Sequence, residues 1–195
     1  MTKHLYLMRH GETLFNQRHK IQGWCDSPLT AKGIKQAQAA KELLQEINFD
    51  HYYCSTSERC SDTLELVTDN KVSYTRLKQL KERNYGYFEG CDEDFIRSNT
   101  VDPRHDDIFP RFGGEYDHEV SKRMNEALKI IMEKNDHDTV LAVSHGGACA
   151  AFLRSFMDMT PIKETGGLTN CCIIHLEYDN DEFKFIDITR PEIIQ

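Results

Sequence analysis

No apolar run in this sequence approaches the roughly 20 residues needed to cross a bilayer. The opening Met1-Thr2-Lys3-His4-Leu5-Tyr6-Leu7 carries charge beside its short apolar stretch and leads to no small-residue cleavage site, so no signal peptide is expected. Positive charge is in short supply: 24 Lys and Arg stand against 32 Asp and Glu, a formal net charge of -8. That balance repels nucleic acid and acidic membranes, so an anionic ligand binds only where local cations outweigh the field. Metal-ligand spacing is missing too. The seven cysteines form no C-x-x-C pair, which points to reduced, mostly buried thiols; with nine histidines a zinc site is possible, but no ligand spacing supports one. Internal repeats, low-complexity tracts, flexible linkers and heptad runs are all lacking. The 195 residues read as one domain, 1–195, of a soluble cytoplasmic protein, and nothing specifies an oligomeric state.

What is present is an alternation of strand and helix patterns. Leu5-Tyr6-Leu7-Met8 reads as a buried strand running into Arg9-His10-Gly11. Thr30 is a good N-cap for a helix with Ile34, Ala37, Leu44 and Ile47 on one stripe. Tyr52-Tyr53-Cys54 is a short strand, followed by a capping box of Ser55 and Glu58. Val120, Met124, Ala127, Leu128 and Ile131 mark an amphipathic helix, and Thr139 to Val143 a buried strand that ends at Ser144-His145-Gly146-Gly147. The helix after it carries Ala151, Phe152, Ser155 and Phe156, and a hairpin turns at Asn180-Asp181. This pattern predicts a three-layer α/β/α fold with a mostly parallel central sheet and at least one antiparallel strand near the C-terminus. Ligands in such sheets sit beyond the carboxyl ends of the strands.

Three chemically capable segments follow strands. Arg9 and Arg59 suit bidentate capture of phosphate oxygens, and His10 and His145 suit a nucleophile and a charge-stabilising donor. Gly11, Gly146 and Gly147 let backbone approach a ligand, with a helix N-terminus near Gly147. A leaving alcohol needs a proton, and Glu82 in Leu80-Lys81-Glu82-Arg83 is the candidate acid. Taken singly, each has a plain structural explanation: a turn, a salt-bridged arginine, a surface glutamate. Their ordered combination is what carries weight.

Arg9-His10-Gly11-Glu12-Thr13, with Asn16 following, resembles the defining motif of the histidine phosphatase superfamily, in its phosphoglycerate-mutase-like branch. Gly23 to Thr30 with Gly33 and Gln36-Ala37, Ser55 to Arg59, Glu82 with Tyr85-Gly86 and Glu89-Gly90, Gly113-Gly114-Glu115 with Arg123, and Val143 to Gly147 resemble its later blocks in order. The resemblance implies phosphorylation of His10, capture of the phosphoryl group by Arg9, Arg59 and His145, and proton transfer by Glu82. It also implies phosphate or substrate contact by Asn16, Gln22 and Gly23, with no metal and no organic cofactor. Two departures, Cys60-Ser61-Asp62-Thr63 after Arg59 and Tyr116 after Gly-Glu, read as packing or rim positions.

Mutases of that branch carry paired arginines downstream of the acid. Here the stretch 91–119 holds nine acidic residues against Arg97, Arg104 and Arg111, with no Arg pair. A phosphatase acting on small-molecule phosphate monoesters is therefore the leading expectation, with mutase-type transfer and a non-catalytic phosphate-binding module as alternatives. The stretch 91–119 reads as a solvated face or a substrate-covering lid. A cysteine phosphatase is disfavoured, since only four residues separate Cys54 from Arg59 where its loop needs five. His175 reads as a hydrogen-bonded sheet residue; Trp24 either lines the pocket rim or simply packs, its neighbours Gln22-Gly23 favouring the rim.

Overall fold

The computed structural model describes residues 2–99 and 108–192, so residues 100–107 of the expected lid lie outside the described residues. Strand β1 (Lys3–Arg9) leads through a helical turn α1 (Leu14–Gln17) to helix α2 (Ala31–Leu44). Strand β2 (His51–Ser55), helix α3 (Glu58–Val67) and the short strand β3 (Thr75–Leu77) follow. Short helices α4 (Glu93–Asn99) and α5 (Ile108–Arg111) precede the long helix α6 (Asp117–Met132). Strand β4 (Thr139–Ser144), helices α7 (Gly146–Leu153) and α8 (Thr160–Glu164), and the hairpin β5 (Ile173–Asp179) and β6 (Glu182–Thr189) complete the described chain.

The six strands form one sheet in the order β3-β2-β4-β1-β5-β6. Strands β1 to β4 run parallel, β5 is antiparallel to β1, and β6 is antiparallel to β5, as the alternating pattern predicts. The last hairpin closes on Asn180 and Asp181 at φ 49 and 64, the left-handed pair that matches the twist of a two-residue loop.

Alternation along the strands divides the core. Leu5, Leu7, Val140, Ala142, Ile174 and Leu176 pack with Val120, Met124, Leu128 and Ile131 of α6 and with Ala148, Ala151 and Phe152 of α7. Met8, Cys54, Leu141, Val143 and Ile173 pack on the other face with Ala37, Ala40 and Leu44 of α2 and Cys60, Leu64 and Val67 of α3. Helices thus cover both faces, and truncating a fully buried member such as Met124 to Ala costs roughly 2–5 kcal/mol.

Some local expectations change. Thr30 does cap α2, its hydroxyl accepting the Gly33 N–H at 3.0 Å, but Ile34 is 38% exposed and Ile47 lies past the helix end. Ala40 takes the buried place instead. Helix α7 stops at Leu153, before Ser155 and Phe156. Ser55 is not a cap: it closes β2, and Ser57 precedes α3 without a side-chain capping bond. All seven cysteines are free thiols, five of them buried.

Candidate active site

Arg9 and Ser144 are paired across the β1–β4 ladder, so the residues that follow them, His10 and His145, leave adjacent strand ends together. Their rings meet edge to face with centroids 5.2 Å apart. His10 is 4% exposed, and its Nδ1 lies 2.8 Å from the Gly11 carbonyl. A carbonyl only accepts, so Nδ1 carries the proton and Nε2 keeps its lone pair. Burial, then the Arg59 and Arg9 charges, hold this imidazole well below the ordinary histidine value, against the opposing pull of the Gly11 bond. A neutral, oriented ring is the form a nucleophile needs.

His10 lines a cavity of about 550 Å³ together with Arg9, Asn16, Gln22, Glu82 and Gly146. Arg9 donates to the Leu168 carbonyl at 2.6 Å and its guanidinium lies against Gly146. The Asn16 Oδ1 accepts from Thr13 N–H and from Asn170, and Gln22 bonds Thr13 and Ser27. Asn170 also donates to the His10 carbonyl at 3.1 Å; nothing in its sequence setting signals this.

Arg59 is fully buried yet charged. It donates to the carbonyls of Gly23 (2.8 Å) and Cys25 (3.0 Å) and to the Asp26 carboxylate at 2.9 Å. The loop supplying those carbonyls is itself gripped by Glu89, which accepts N–H groups from Gly23, Trp24, Cys25 and Tyr85. Burial pushes the Glu89 carboxyl up, but the Cys25 thiol and then the backbone N–H groups of Trp24, Tyr85 and Cys25 outweigh it and leave it below the usual glutamate value. A side chain at position 23 would meet the Arg83 carbonyl at 2.2 Å, which restricts the position to glycine.

His145 stands behind this layer. Its Nδ1 takes an Arg59 N–H at 2.8 Å and its Nε2 lies 2.8 Å from the Ser55 hydroxyl, so both ring nitrogens address the protein rather than the cavity. Burial and then Arg59 keep it neutral, well below the ordinary value. Arg59, His145 and Gly23 therefore sit one layer behind the cavity wall in this arrangement. Among the described residues, only three buried side-chain polar atoms lack a partner, and two are the Nε atoms of Arg9 and Arg59. Orphaned guanidinium N–H groups beside His10 are donors an oxyanion would satisfy.

Glu82 is 6% exposed and lines the cavity beside the first turn of α7. One oxygen accepts Arg83 N–H and the other Gly147 N–H, both at 2.8 Å. Its carbonyl accepts from Trp24 Nε1 and from Arg123, which also holds the Gln79 and Lys81 carbonyls and pairs with Glu115. Trp24 thus clamps the acid-bearing segment and is not on the cavity wall, contrary to the rim reading. Farther out, Arg83 and Arg154 share one Asp117 oxygen, while Ile96 and Phe109 supply an apolar wall. Cys54 is buried in the core with its thiol pushed up to about 12 by desolvation, so it offers no thiolate nucleophile.

A strand-end histidine beside the half-buried Arg9 and the buried Arg59, with a carboxyl on the same cavity, fits a phosphoryl-transfer type of site. Residues 5–190 match the histidine phosphatase superfamily (branch 1), and the chain belongs to it. It is 31% identical over 186 residues to the "Probable phosphoglycerate mutase GpmB" of Proteus mirabilis (strain HI4320), covering 90% of this chain and 85% of that one. It is 28% identical over 182 residues to the "Uncharacterized phosphatase PhoE" of Bacillus subtilis (strain 168), covering 93% and 91%. The crystal structure of phosphoglycerate mutase from Bacillus anthracis str. Sterne superposes with a TM-score of 0.83 at 26% identity, covering 95% of this chain and 92% of that one. The family and fold expectations are borne out. No helix among the described residues is long and apolar enough to cross a membrane.

Proposed function

We propose that this enzyme hydrolyses small-molecule phosphate monoesters through a phosphohistidine on His10. The observation that carries the reading is the His10 ring itself: Nδ1 is committed to Gly11, which leaves Nε2 its lone pair, and the neutral ring lines a cavity together with Arg9 and Glu82. Nε2 attacks phosphorus in line with the departing alcohol oxygen. Arg9, with Arg59 closing in from behind, draws the equatorial oxygens, and Glu82 gives the leaving oxygen its proton. Water, deprotonated by Glu82, then displaces phosphate from His10. His145 and Glu89 support this as positioning residues that set Arg59 and its loop. Asn16, Gln22 and Gly146 bound the phosphoryl end of the cavity.

Every group in these steps belongs to the chain, so turnover is expected to persist in chelator. The formal charge of -8 disfavours nucleic acid and acidic membranes as partners. The described parts of 91–119 supply one wall of the cavity through Ile96 and Phe109, which fits a substrate-covering role. Mutase-type transfer is the second reading, favoured by the name of the 31% identical Proteus relative. Against it, Arg83 and Arg154 already spend charge on Asp117 rather than standing ready for a second anion.

The test is phosphate release from a panel of monoesters in EDTA, by wild type and His10→Ala in parallel. Release by wild type alone supports the phosphatase. Isomerisation of phosphoglycerate without net phosphate release moves the assignment to the mutase. Ester binding with no turnover of either kind identifies a binding module.

A further inference from the structure

At the opposite end of the sheet from His10, three side chains converge that the phosphatase chemistry does not use. His51 opens β2, and Asp136 and His137 lie in the turn between α6 and β4. The pairing of His51 with Val140 brings these segments together although 85 residues separate them in sequence. His51 Nε2 lies 3.1 Å from one oxygen of Asp136, and His137 Nδ1 lies 2.8 Å from the other. The two imidazoles stack with centroids 3.7 Å apart and planes 13° from parallel. All three donor atoms fall within 4.8 Å of one another, the only such grouping among the described residues.

We propose that His51, Asp136 and His137 form a binding site for a divalent transition-metal ion of the zinc, nickel or copper class. Two imidazoles and one carboxylate suit these ions, whereas Mg²⁺ and Ca²⁺ prefer all-oxygen sets. Donors bound about 2.1 Å from a tetrahedral ion stand roughly 3.4 Å apart, close to the two nitrogen–oxygen separations already present. His137 is buried and its far nitrogen, Nε2, lies 2.7 Å from the Tyr53 hydroxyl. That partner fixes the ring and lets Nε2 carry the proton while Nδ1 offers a lone pair, as outer partners of metal-bound histidines do. Tyr53 is in turn held by Lys134 at 2.9 Å. The Asp50 carboxylate accepts the Asp138 and Thr139 N–H groups, which fixes the turn that presents the ligands. His51 and Asp136 are open to solvent, which gives an ion its entry, and water would complete the coordination. A bound ion would tie the start of β2 to the turn before β4. Spacing along the sequence cannot show this site, because fold register alone assembles it.

The experiment is calorimetric titration of tag-free protein with Ni²⁺, paired with thermal unfolding. Wild type, His51→Ala, Asp136→Asn and, as a control at the neighbouring His4–His175 pair, His175→Ala are compared. The expected result is about one equivalent bound by wild type and by His175→Ala. Saturating Ni²⁺ should raise Tm by about 5 °C. Affinity should be at least tenfold weaker in both His51→Ala and Asp136→Asn. Asp136 is exposed and His51 half-buried, and an unchanged metal-free Tm would show that these variants fold. Absence of binding by wild type, undiminished binding by His51→Ala and Asp136→Asn, or loss of binding in His175→Ala would each overturn the proposal.

Discussion

The Gly147 N–H donates to the Glu82 carboxylate at 2.8 Å, tying the first turn of α7 directly to the candidate acid. The relationship is sterically tight, because a Cβ at Gly147 would meet Glu82 Oε1 at 2.6 Å and its carboxyl carbon at 3.1 Å. Gly147→Ala should therefore displace the carboxyl group while leaving the sheet intact. General acid catalysis is worth about 10²–10⁴-fold, so alkyl phosphates should lose roughly 100-fold in kcat. An aryl phosphate with a good leaving group should lose far less. Steady-state kinetics on the two ester types checks this, and equal losses would remove Glu82 as the acid.

Arg123 reaches the carbonyls of Gln79, Lys81 and Glu82 and the Glu115 carboxylate, so it holds the acid-bearing segment without itself lining the cavity. Arg123→Ala should lower Tm by about 5 °C, as expected for losing charge-assisted bonds worth about 2 kcal/mol. Its effect on turnover should fall on kcat more than on KM, read from saturation curves at a temperature where the variant is folded.

Glu89 receives four backbone N–H groups from the segments around Arg59 and Glu82. Glu89→Gln keeps the shape but loses the charge and one acceptor oxygen. We expect about 1–3 kcal/mol of destabilisation by urea unfolding and a fall in kcat/KM, since the loop that holds Arg59 loosens. Full retention of both would show that the loop keeps its shape unaided.

Acid should destabilise this protein earlier than its carboxylates alone would require. His10 and His145 are buried neutral, their folded values held well below 6.5 first by desolvation and then by Arg59. Below about pH 6.5 the unfolded chain protonates both rings while the folded chain does not. The unfolded state then binds more protons, so stability falls as pH falls, by at most about 1.4 kcal/mol per unit for each ring. Glu89 adds to this at lower pH, its stabilising ionisation being lost as pH falls through its depressed value. Urea unfolding at pH 7, 6 and 5 should show the decline, with a shallower slope in His10→Gln.

Much of the site was legible in the sequence because its carriers are local. Arg9-His10-Gly11 and Ser144-His145-Gly146 stand where β1 and β4 end, and parallel pairing of Arg9 with Ser144 brings the two segments together. The sequence could not show what Arg59 and His145 touch, because their partners are backbone carbonyls and a strand hydroxyl supplied by distant segments. Ser55 carries a helix-cap pattern, yet its hydroxyl serves His145, a tertiary demand that overrides the local one. Asn170 and Trp24 act through bonds to main-chain carbonyls, which leave no signature in residue spacing. Ile34 fits a helical stripe by period but lies at its solvent edge.

The central claim is a covalent phosphohistidine at position 10. Rapid acid-free quenching of enzyme mixed with a labelled phosphate ester in EDTA, followed by peptide mapping, tests it most directly. The account predicts an alkali-stable, acid-labile phosphoryl group on the peptide carrying His10, formed before steady-state release and absent in His10→Ala. Ester turnover with no labelled histidine, or with the label on another residue, would contradict it.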